Sequence, residues 1–317
     1  MENTTRRKFI KTTTQALGAL PFLHPLQTLS QIPDKLDDTF PVYLFSKHLQ
    51  FLNYRTAGEK AAEMGFAGLD LTVRPGGHVL PENVAEDLPK AIEEIKKGGS
   101  NCHLMTTAID DANDPLDAEV LKVASQQGIT HYRCNWFRYD ESQPMPDTLK
   151  EHTQTIKSLS ELNRSLGLKG CYQNHSGTWV GASIWEIKTL LEGADKEYFG
   201  AQYDIRHAMV EGGLSWENGL RLIKDHIKSI ALKDYKWENV GGRWKVVNVP
   251  LGEGMVDFKK YFSLLKEYKI NVPVILHAEY PLGGASHGKS EISVSPEVVY
   301  TALKKDLKKA EQLWGEA

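Results

Sequence analysis

From about residue 40 onwards, short apolar runs alternate with longer segments in which apolar residues recur every three or four positions. An uninterrupted short apolar run is typical of a parallel strand buried on both faces, and the longer spacing is typical of an amphipathic helix. We predict strands at 41–45, 66–72, 102–108, 130–136, about 171–172, 199–203, 229–232 and 272–276. We predict helices at 55–64, 84–97, 117–126, 147–166, 184–191, 216–223, 257–268 and 295–313.

This regular alternation predicts βαβ units, which pair their strands in parallel. Such units fit a (β/α)8 TIM barrel, an α/β fold of about 250 residues plus insertions. The pattern breaks at 235–249, where Trp237 and Trp244 flank a Gly241-Gly242 turn, and this predicts a hairpin inserted after the seventh strand. We expect residues 1–35 to be an export signal and linker, and residues 36–317 to be one TIM-barrel domain.

Composition narrows the class of partner. The chain of 317 residues has 41% hydrophobic and 25% charged residues, as soluble globular proteins do. A net charge of -3 argues against nucleic acid, because no basic surplus exists to neutralise phosphates. No apolar run approaches the roughly 18 residues of a membrane span. We therefore expect a small-molecule partner, with an oligomer still compatible with the sequence.

Two short features bear on where the protein works. Residues 4–11 read TTRRKFIK, which resembles the twin-arginine export signal, and a modest apolar region follows at 16–23. The sequence thus predicts export to the periplasm, with a basic tail as the alternative. Cys102, Cys134 and Cys171 are an odd number and lie in predicted strands, so we expect buried thiols rather than a disulfide framework.

Polar side chains follow three successive predicted strands and the last one. His175, His207, Lys233 and Glu279 are the candidate catalytic residues. The carboxyl ends of parallel strands meet at one rim of a barrel, so we expect these side chains to converge. Histidine titrates nearest neutral pH and either ring could move a proton. The alternative for His207 is to orient the nearby carboxylate of Asp204.

Lys233 has two interpretations of comparable weight. It could act as a general base or hold an enediolate oxygen. It could instead form an ion pair with Asp234 or Glu279.

Four further residues are candidates for binding the substrate. Arg74 and His78 leave the second strand through a Gly-Gly loop, and Arg133 and Trp136 lie at the end of the fourth. Glycines allow backbone to approach a ligand, and a flat indole suits stacking on a pyranose ring. The alternatives are a polar turn for the first pair and simple packing for the tryptophan.

Several motifs at strand ends resemble those of one family, the xylose isomerase-like TIM barrels of the sugar isomerase/epimerase superfamily, which includes relatives of inosose dehydratase. The resemblance covers most of the chain after Phe40. The motifs that carry it are Tyr172-Gln173-Asn174-His175-Ser176-Gly177, Tyr203-Asp204-Ile205-Arg206-His207, Leu232-Lys233-Asp234, Leu251-Gly252-Glu253-Gly254 and His277-Ala278-Glu279-Tyr280.

The resemblance implies a divalent metal held by Glu, Asp, His and Glu from strands five to eight. Asp204 and Glu279 match this pattern, but Gln173 stands where the strand-five Glu would be and Ala231 where the His would be. A Mn, Mg, Co or Zn ion held by Gln173, Asp204 and Glu279, with help from His175 or substrate oxygens, is one expectation. The other is a site that has lost its ion, in which the carboxylates bind sugar hydroxyls directly.

The resemblance also implies a reaction class. We expect a sugar isomerase or epimerase-like enzyme that abstracts the proton alpha to the carbonyl of a keto-sugar or keto-glycoside, leading to epimerisation, isomerisation or elimination. The alternative is a non-catalytic carbohydrate-binding barrel with a degenerate metal site. Endonuclease-like cleavage ranks last, because it needs more metal ligands and a basic groove.

Overall fold

Eight parallel strands close into a barrel in the computed structural model, which describes residues 40–317. Around the barrel, the first strand pairs with both the second and the last, so no edge is left open. The strands of the chain are β1 Val42–Phe45, β2 Gly68–Val73, β3 Leu104–Thr107, β4 His131–Arg133, β5 Lys169–Gln173, β6 Phe199–Asp204, β7 Ile227–Leu232, the hairpin strands β8 Asp234–Val240 and β9 Arg243–Val249, and β10 Val274–Leu276. The predicted TIM barrel is confirmed.

Helices separate the barrel strands and cover them from outside. They are α1 Tyr54–Met64, α2 Val84–Lys97, α3 Pro115–Gln126, α4 Met145–Leu166, α5 Ile184–Leu190, α6 Ile205–Gly212, α7 Trp216–Ile223, α8 Phe258–Glu267 and α9 Pro296–Gly315. The sequence pattern predicted all of them except α6, which lies between the sixth predicted strand and the helix predicted at 216–223. Asp204 caps α6 by accepting a bond from the His207 N–H at 3.1 Å.

The strands divide their side chains between two environments. Along β7, Ile230 and Leu232 point outward into the apolar layer beneath the helices. Ser229 and Lys233 point the other way, since Ser229 Oγ lies 3.5 Å from Cys171 Sγ and Lys233 contacts Asp204. Side chains alternate across a strand, so Ala231 faces the barrel interior as well. The apolar layer holds the fold together, and the interior is free to carry polar groups.

A register irregularity sets the geometry where β6 meets β7. Ala201 pairs with Ile227 and Gln202 with Ser229, so Lys228 is an extra residue on β7. Bulges of this kind re-aim side chains near sites. Beyond it, Asp204 lies opposite Ala231.

The remaining structural expectations concern the cysteines, membrane spans and the N-terminus. All three cysteines are buried and free. Within residues 40–317, no helix is long and apolar enough to cross a membrane. The twin-arginine segment lies outside the described residues.

The hairpin is anchored by the carboxylate of Asp234, which is buried at its base. Oδ1 accepts from the N–H groups of Tyr235 (2.8 Å) and Val256 (3.1 Å), and Oδ2 accepts from those of Gly252 and Gly254, both at 2.9 Å. Asp234 thus fixes the loop that returns from the hairpin. Of the two ion pairs considered for Lys233, the one with Asp234 does not form, whereas the one with Glu279 does, at 3.1 Å. Asp234 and Lys233 are consecutive residues that point to opposite sides.

We expect Asp234→Asn to destabilise the fold by about 3 kcal/mol, because an amide NH2 would face backbone donors that a carboxylate now satisfies. Urea unfolding followed by circular dichroism measures this. The exposed Asp147→Asn, in the first turn of α4, is the matched control and should change stability little. Equal stability of the two variants would contradict the anchoring role.

Candidate active site

A buried lysine lies at the centre of the polar groups in the barrel mouth. Lys233 follows directly after β7, and its side chain is 3% exposed. Its Nζ lies 3.1 Å from Asp204 Oδ2, 3.1 Å from Glu279 Oε2 and 3.0 Å from His207 Nε2. Strand ends from β6, β7 and β10 therefore meet at one nitrogen. A buried charge requires such partners, because an unpaired ion in the interior costs several kcal/mol.

Glu279 is held between two lysines. Its Oε1 accepts from Lys47 Nζ at 2.9 Å, while Oε2 faces Lys233. Burial raises the pKa of Glu279, but the ammonium groups of Lys233 and Lys47 outweigh this effect and hold it well below its usual range. Glu279 is therefore ionised at neutral pH. Its side chain is 24% exposed, so one face remains open to the barrel mouth.

Asp204 is more deeply buried and its oxygens are fully engaged. Gln173 donates its Nε2 hydrogen to Oδ2 at 2.7 Å, and the His207 N–H donates to Oδ1 at 3.1 Å. Burial raises the pKa of Asp204, and the charge of Lys233 opposes that rise. Because Gln173 turns its donor towards Asp204, its amide stabilises the carboxylate.

Neighbouring hydrogen-bond donors hold the His207 ring in place through its Nδ1. Its Nδ1 accepts from the Ser176 N–H at 3.1 Å and lies 2.8 Å from Arg206 Nη1. Burial and then the charge of Lys233 hold the pKa of His207 well below its usual value, so the ring is neutral. These contacts favour the orienting interpretation over proton transfer.

His175 lies beside His207 but is better placed to accept a proton. Its Nδ1 is 3.0 Å from the Ser176 carbonyl oxygen, which can only accept, so Nδ1 carries the hydrogen and Nε2 keeps a lone pair. The ring centroid is 4.1 Å from that of His207 and 4.7 Å from that of Trp136. Burial, followed by the charge of Lys233, lowers the pKa of His175 to about 4.

Two arginines lie at the ends of β2 and β4, Arg74 directly after β2 and Arg133 as the last residue of β4. The Arg133 guanidinium stacks on Trp136 at 4.1 Å, and its Nη1 is buried with no hydrogen-bond partner in residues 40–317. Burial, with the nearby charge of Arg74, lowers the pKa of Arg133 to about 10. Arg74 lies over the Phe45 ring at 5.5 Å. An unpaired buried guanidinium is an available donor for a ligand oxygen.

His78 is less available than the arginines. Its Nδ1 lies 3.1 Å from Ser46 Oγ and 3.2 Å from Thr72 Oγ1, and burial lowers its pKa to about 4. These contacts fasten the loop after β2 to the first strand end. They are consistent with the alternative that we gave for His78, a polar residue that holds a turn.

A cavity of about 790 Å³ reaches the two tryptophans whose rings contact His175, but His175, Lys233 and Glu279 do not line it. Trp136 and Trp179 line it, with ring centroids 5.7 Å apart, and Arg138 stacks on Trp179 at 3.3 Å. Asp110, Asp111 and Glu151 supply carboxylates. Flat aromatic faces beside hydrogen-bonding groups suit a polyhydroxylated ligand.

As it stands, the donor set does not fit a divalent metal. Gln173 turns a nitrogen to the centre, Ala231 offers no ligand, and the oxygens of Asp204 and Glu279 already accept from protein donors. Among residues 40–317, no group of three or more His, Cys, Asp or Glu residues is arranged to hold a metal ion. The polar centre is instead built around an ammonium group.

Sequence reasoning missed four residues that contribute to this site. Lys47 is the second residue after β1, and its position near a strand end was the available signal. Ser176 and Arg206 lie within the quoted motifs, but their role towards His207 depends on the unpredicted helix α6. Asp70 is buried within β2 and accepts from Thr106 Oγ1 at 2.8 Å, and burial raises its pKa to about 6. It lies inside a strand, so no strand-end signal could have found it.

Comparisons with known proteins agree with this architecture. The model of the family described as "Xylose isomerase-like TIM barrel" matches residues 59–297. No curated protein matches the chain in sequence.

Three solved structures show the likeness in fold. A D-psicose 3-epimerase, crystallised in the presence of D-fructose, has 13% identity and a TM-score of 0.64, covering 87% of this chain and 100% of its own. A 3-keto-D-glucoside 4-epimerase from E. coli has 12% identity and a TM-score of 0.60, covering 81% and 94%. A xylose isomerase-like TIM barrel protein from Mycobacterium smegmatis, in complex with magnesium, has 11% identity and a TM-score of 0.62, covering 87% and 98%.

At such identities these likenesses establish the fold alone, whereas the family model spans most of the chain. The protein belongs to the xylose isomerase-like TIM barrel family.

Proposed function

We propose that this protein is a carbohydrate epimerase or isomerase that removes the proton alpha to the carbonyl of a keto-sugar or keto-glycoside. The observation that carries the proposal is that one barrel mouth holds both a neutral histidine, whose Nε2 has no hydrogen-bond partner among residues 40–317, and two lysine side chains on one carboxylate. Enolisation needs a base and a cation of this kind, one to take the proton and one to stabilise the oxyanion.

His175 is the proposed base. Its Nε2 takes the proton from the carbon next to the carbonyl, and the electron pair moves to form an enediolate with its charge on the former carbonyl oxygen. Return of a proton to the same carbon on the other face gives the epimer. Return to the neighbouring carbon gives the isomer, and departure of a leaving group instead gives elimination.

Lys47 is the proposed donor to the oxyanion. Among residues 40–317, its Nζ is paired with Glu279 alone, so two of its three N–H groups remain for a ligand. Lys233 is instead committed to three neighbours. We assign it to holding Asp204 and Glu279 in place and to supplying a fixed positive charge beneath the substrate.

The substrate class follows from the walls of the mouth and from relatives. The indoles of Trp136 and Trp179 and the unpaired Arg133 Nη1 support a polyhydroxylated, oxygen-rich ligand. Relatives of similar fold act on D-psicose and on a 3-keto-D-glucoside, as their names state. We propose a keto-sugar, or a keto-glycoside whose second sugar extends along the cavity lined by Trp179.

Incubation with a panel of keto-sugars and 3-keto-glycosides in deuterated water tests this proposal. Deuterium entering beside the carbonyl, detected by NMR, is the expected result. Absence of incorporation across the panel, together with saturable binding of one of the sugars, would favour the non-catalytic carbohydrate-binding barrel. The observation that favours that second function is that Gln173 and Ala231 stand where the family pattern implies a Glu and a His ligand.

Trp136→Ala should raise the KM for such a substrate by roughly tenfold, because loss of one stacking face removes about 1.4 kcal/mol of binding. The rate constant kcat should change less, since the contact between Trp136 and His175 is a T-shaped ring contact that moves no proton. Steady-state kinetics measures both values. Trp185→Ala is the control, as Trp185 is 70% exposed outside the mouth, and an equal effect of the two variants would contradict the stacking role.

We also propose that the protein acts outside the cytoplasm, on the strength of the Arg6-Arg7 motif. Fractionation of a bacterial host should find the protein in the periplasm. The double variant Arg6→Lys, Arg7→Lys should remain in the cytoplasm, and unchanged export would contradict the proposal.

A further inference from the structure

Three side chains contact the Lys233 nitrogen. One oxygen each of Asp204 and Glu279 and His207 Nε2 all lie within 3.1 Å of it. Because His207 Nδ1 accepts a hydrogen bond, its neutral ring carries the hydrogen on Nε2, so the two carboxylates are the acceptors for the ammonium group. Imidazole and carboxylate are the ligand types that Mn²⁺, Co²⁺ and Zn²⁺ take in proteins. A lysine nitrogen therefore occupies the point where a divalent cation would have to lie.

The balance of charges around Lys233 also argues against a divalent cation at this point. Two carboxylates, on Asp204 and Glu279, face two lysines, Lys47 and Lys233, and the four groups form one connected set of ion pairs. A divalent cation added to this set would leave a buried excess of positive charge, which the interior of a protein does not tolerate. Removal of the Lys233 side chain would reverse the balance and leave two carboxylates with a single lysine.

The two departures from the family pattern are consistent with this arrangement. Gln173 directs its Nε2 to Asp204 at 2.7 Å, and Ala231 leaves the position between β6 and β10 without a side chain that could bind metal. An uncharged amide in place of a carboxylate lowers the negative charge that would attract an ion. The absence of two metal ligands and the presence of the Lys233 ammonium group therefore both disfavour the binding of a metal ion.

We propose that the ammonium group of Lys233 takes the place of a divalent metal in this protein, and that the native chain binds none stoichiometrically. The proposal does not depend on which reaction the site performs, because it concerns the occupant of the site. It makes Lys233 a structural counter-ion to Asp204 and Glu279, in contrast to a protein of similar fold from Mycobacterium smegmatis that was solved in complex with magnesium.

Titration of the purified, EDTA-treated full-length protein with MnCl₂ tests the proposal, with the EPR signal of free Mn²⁺ as the readout. Wild type should bind no saturable Mn²⁺. Lys233→Ala should gain about one Mn²⁺ per chain, because Asp204, Glu279 and His207 then face an open space. Lys236→Ala, on the exposed hairpin, is the matched control and should bind as little as wild type.

Lys233→Ser is a second variant that opens the same space but leaves a polar side chain there. Circular dichroism verifies that each variant is folded. Saturable binding of one Mn²⁺ by wild type would overturn the proposal. Folded Lys233 variants that stay free of Mn²⁺ would overturn it too, because the lysine would then not be what excludes the metal. Neither result bears on the deuterium-exchange experiment, so the two proposals fail independently.

Discussion

Lys233→Met should lower kcat/KM by roughly 1000-fold, since it removes the fixed positive charge beneath the substrate and releases Asp204 and Glu279, and loss of one electrostatic contribution of this kind typically costs 100- to 1000-fold. The same change should destabilise the fold by about 3–5 kcal/mol, because it leaves Asp204 buried without its cation. Deuterium exchange measures the first effect and urea unfolding the second.

The two effects of Lys233→Met can be separated by a compensating change. In the double variant Asp204→Asn, Lys233→Met, the buried charge and its partner disappear together, which is often close to neutral for stability. We expect this double variant to recover most of the lost stability and to remain inactive. Recovery of activity along with stability would show that Lys233 matters only for folding.

Lys236→Met is the matched control for these measurements. Its Nζ lies 3.4 Å from Glu238 Oε2 on the exposed hairpin. Such surface pairs contribute about 0–1 kcal/mol, so stability and exchange should remain close to wild type. A loss of activity in this control would indicate that the hairpin itself takes part in binding.

Much of the fold could be predicted because burial imposes a periodic pattern on the sequence. The prediction of a helix at 84–97 coincides with α2, Val84–Lys97, and that at 216–223 with α7, Trp216–Ile223. Each has an apolar face that packs on the barrel. α6 was not predicted because it starts immediately after β6, with no loop between them. Asp204 is both the last residue of the strand and the N-cap of the helix.

The composition of the site was harder to predict than its position. Strand ends indicated His175, Asp204, Lys233 and Glu279, and the structure brings these four to one mouth. The sequence offered Asp234 or Glu279 as the ion-pair partner of Lys233, but it could not choose between them or indicate Asp204, because pairing depends on side-chain direction. Lys233 was as close in sequence to Asp234 as any residue can be, yet it pairs with Asp204 and Glu279.

The expectation of a metal site shows a limit of inference from sequence motifs. A match at two of four positions leaves open whether an ion or something else balances the two carboxylates. Only the placement of Lys233 Nζ between them shows what does so in this structure. The sequence alone does not show whether a lysine at the end of a strand points to the surface or into the barrel. It therefore could not show whether a metal ion or Lys233 balances the two carboxylates.

His175→Asn should lower the rate of deuterium exchange by roughly 100- to 10,000-fold, the usual contribution of a positioned general base. Asparagine retains an amide that can still donate to the Ser176 carbonyl oxygen, as Nδ1 does now at 3.0 Å, but it has no basic nitrogen to replace Nε2. The loss should therefore appear in kcat, with KM within a few-fold of wild type.

Two further variants identify the base among the groups at the mouth. His287→Asn, on the exposed loop after β10, is the matched control and should exchange deuterium at the wild-type rate. Glu279→Gln should also abolish exchange, but for a different reason, because it removes the carboxylate that pairs with both Lys47 and Lys233. Loss of this charge should lower the stability of the fold as well. His175→Asn should leave stability nearly unchanged. If His175→Asn retained exchange while Glu279→Gln lost it at wild-type stability, Glu279 rather than His175 would be the base.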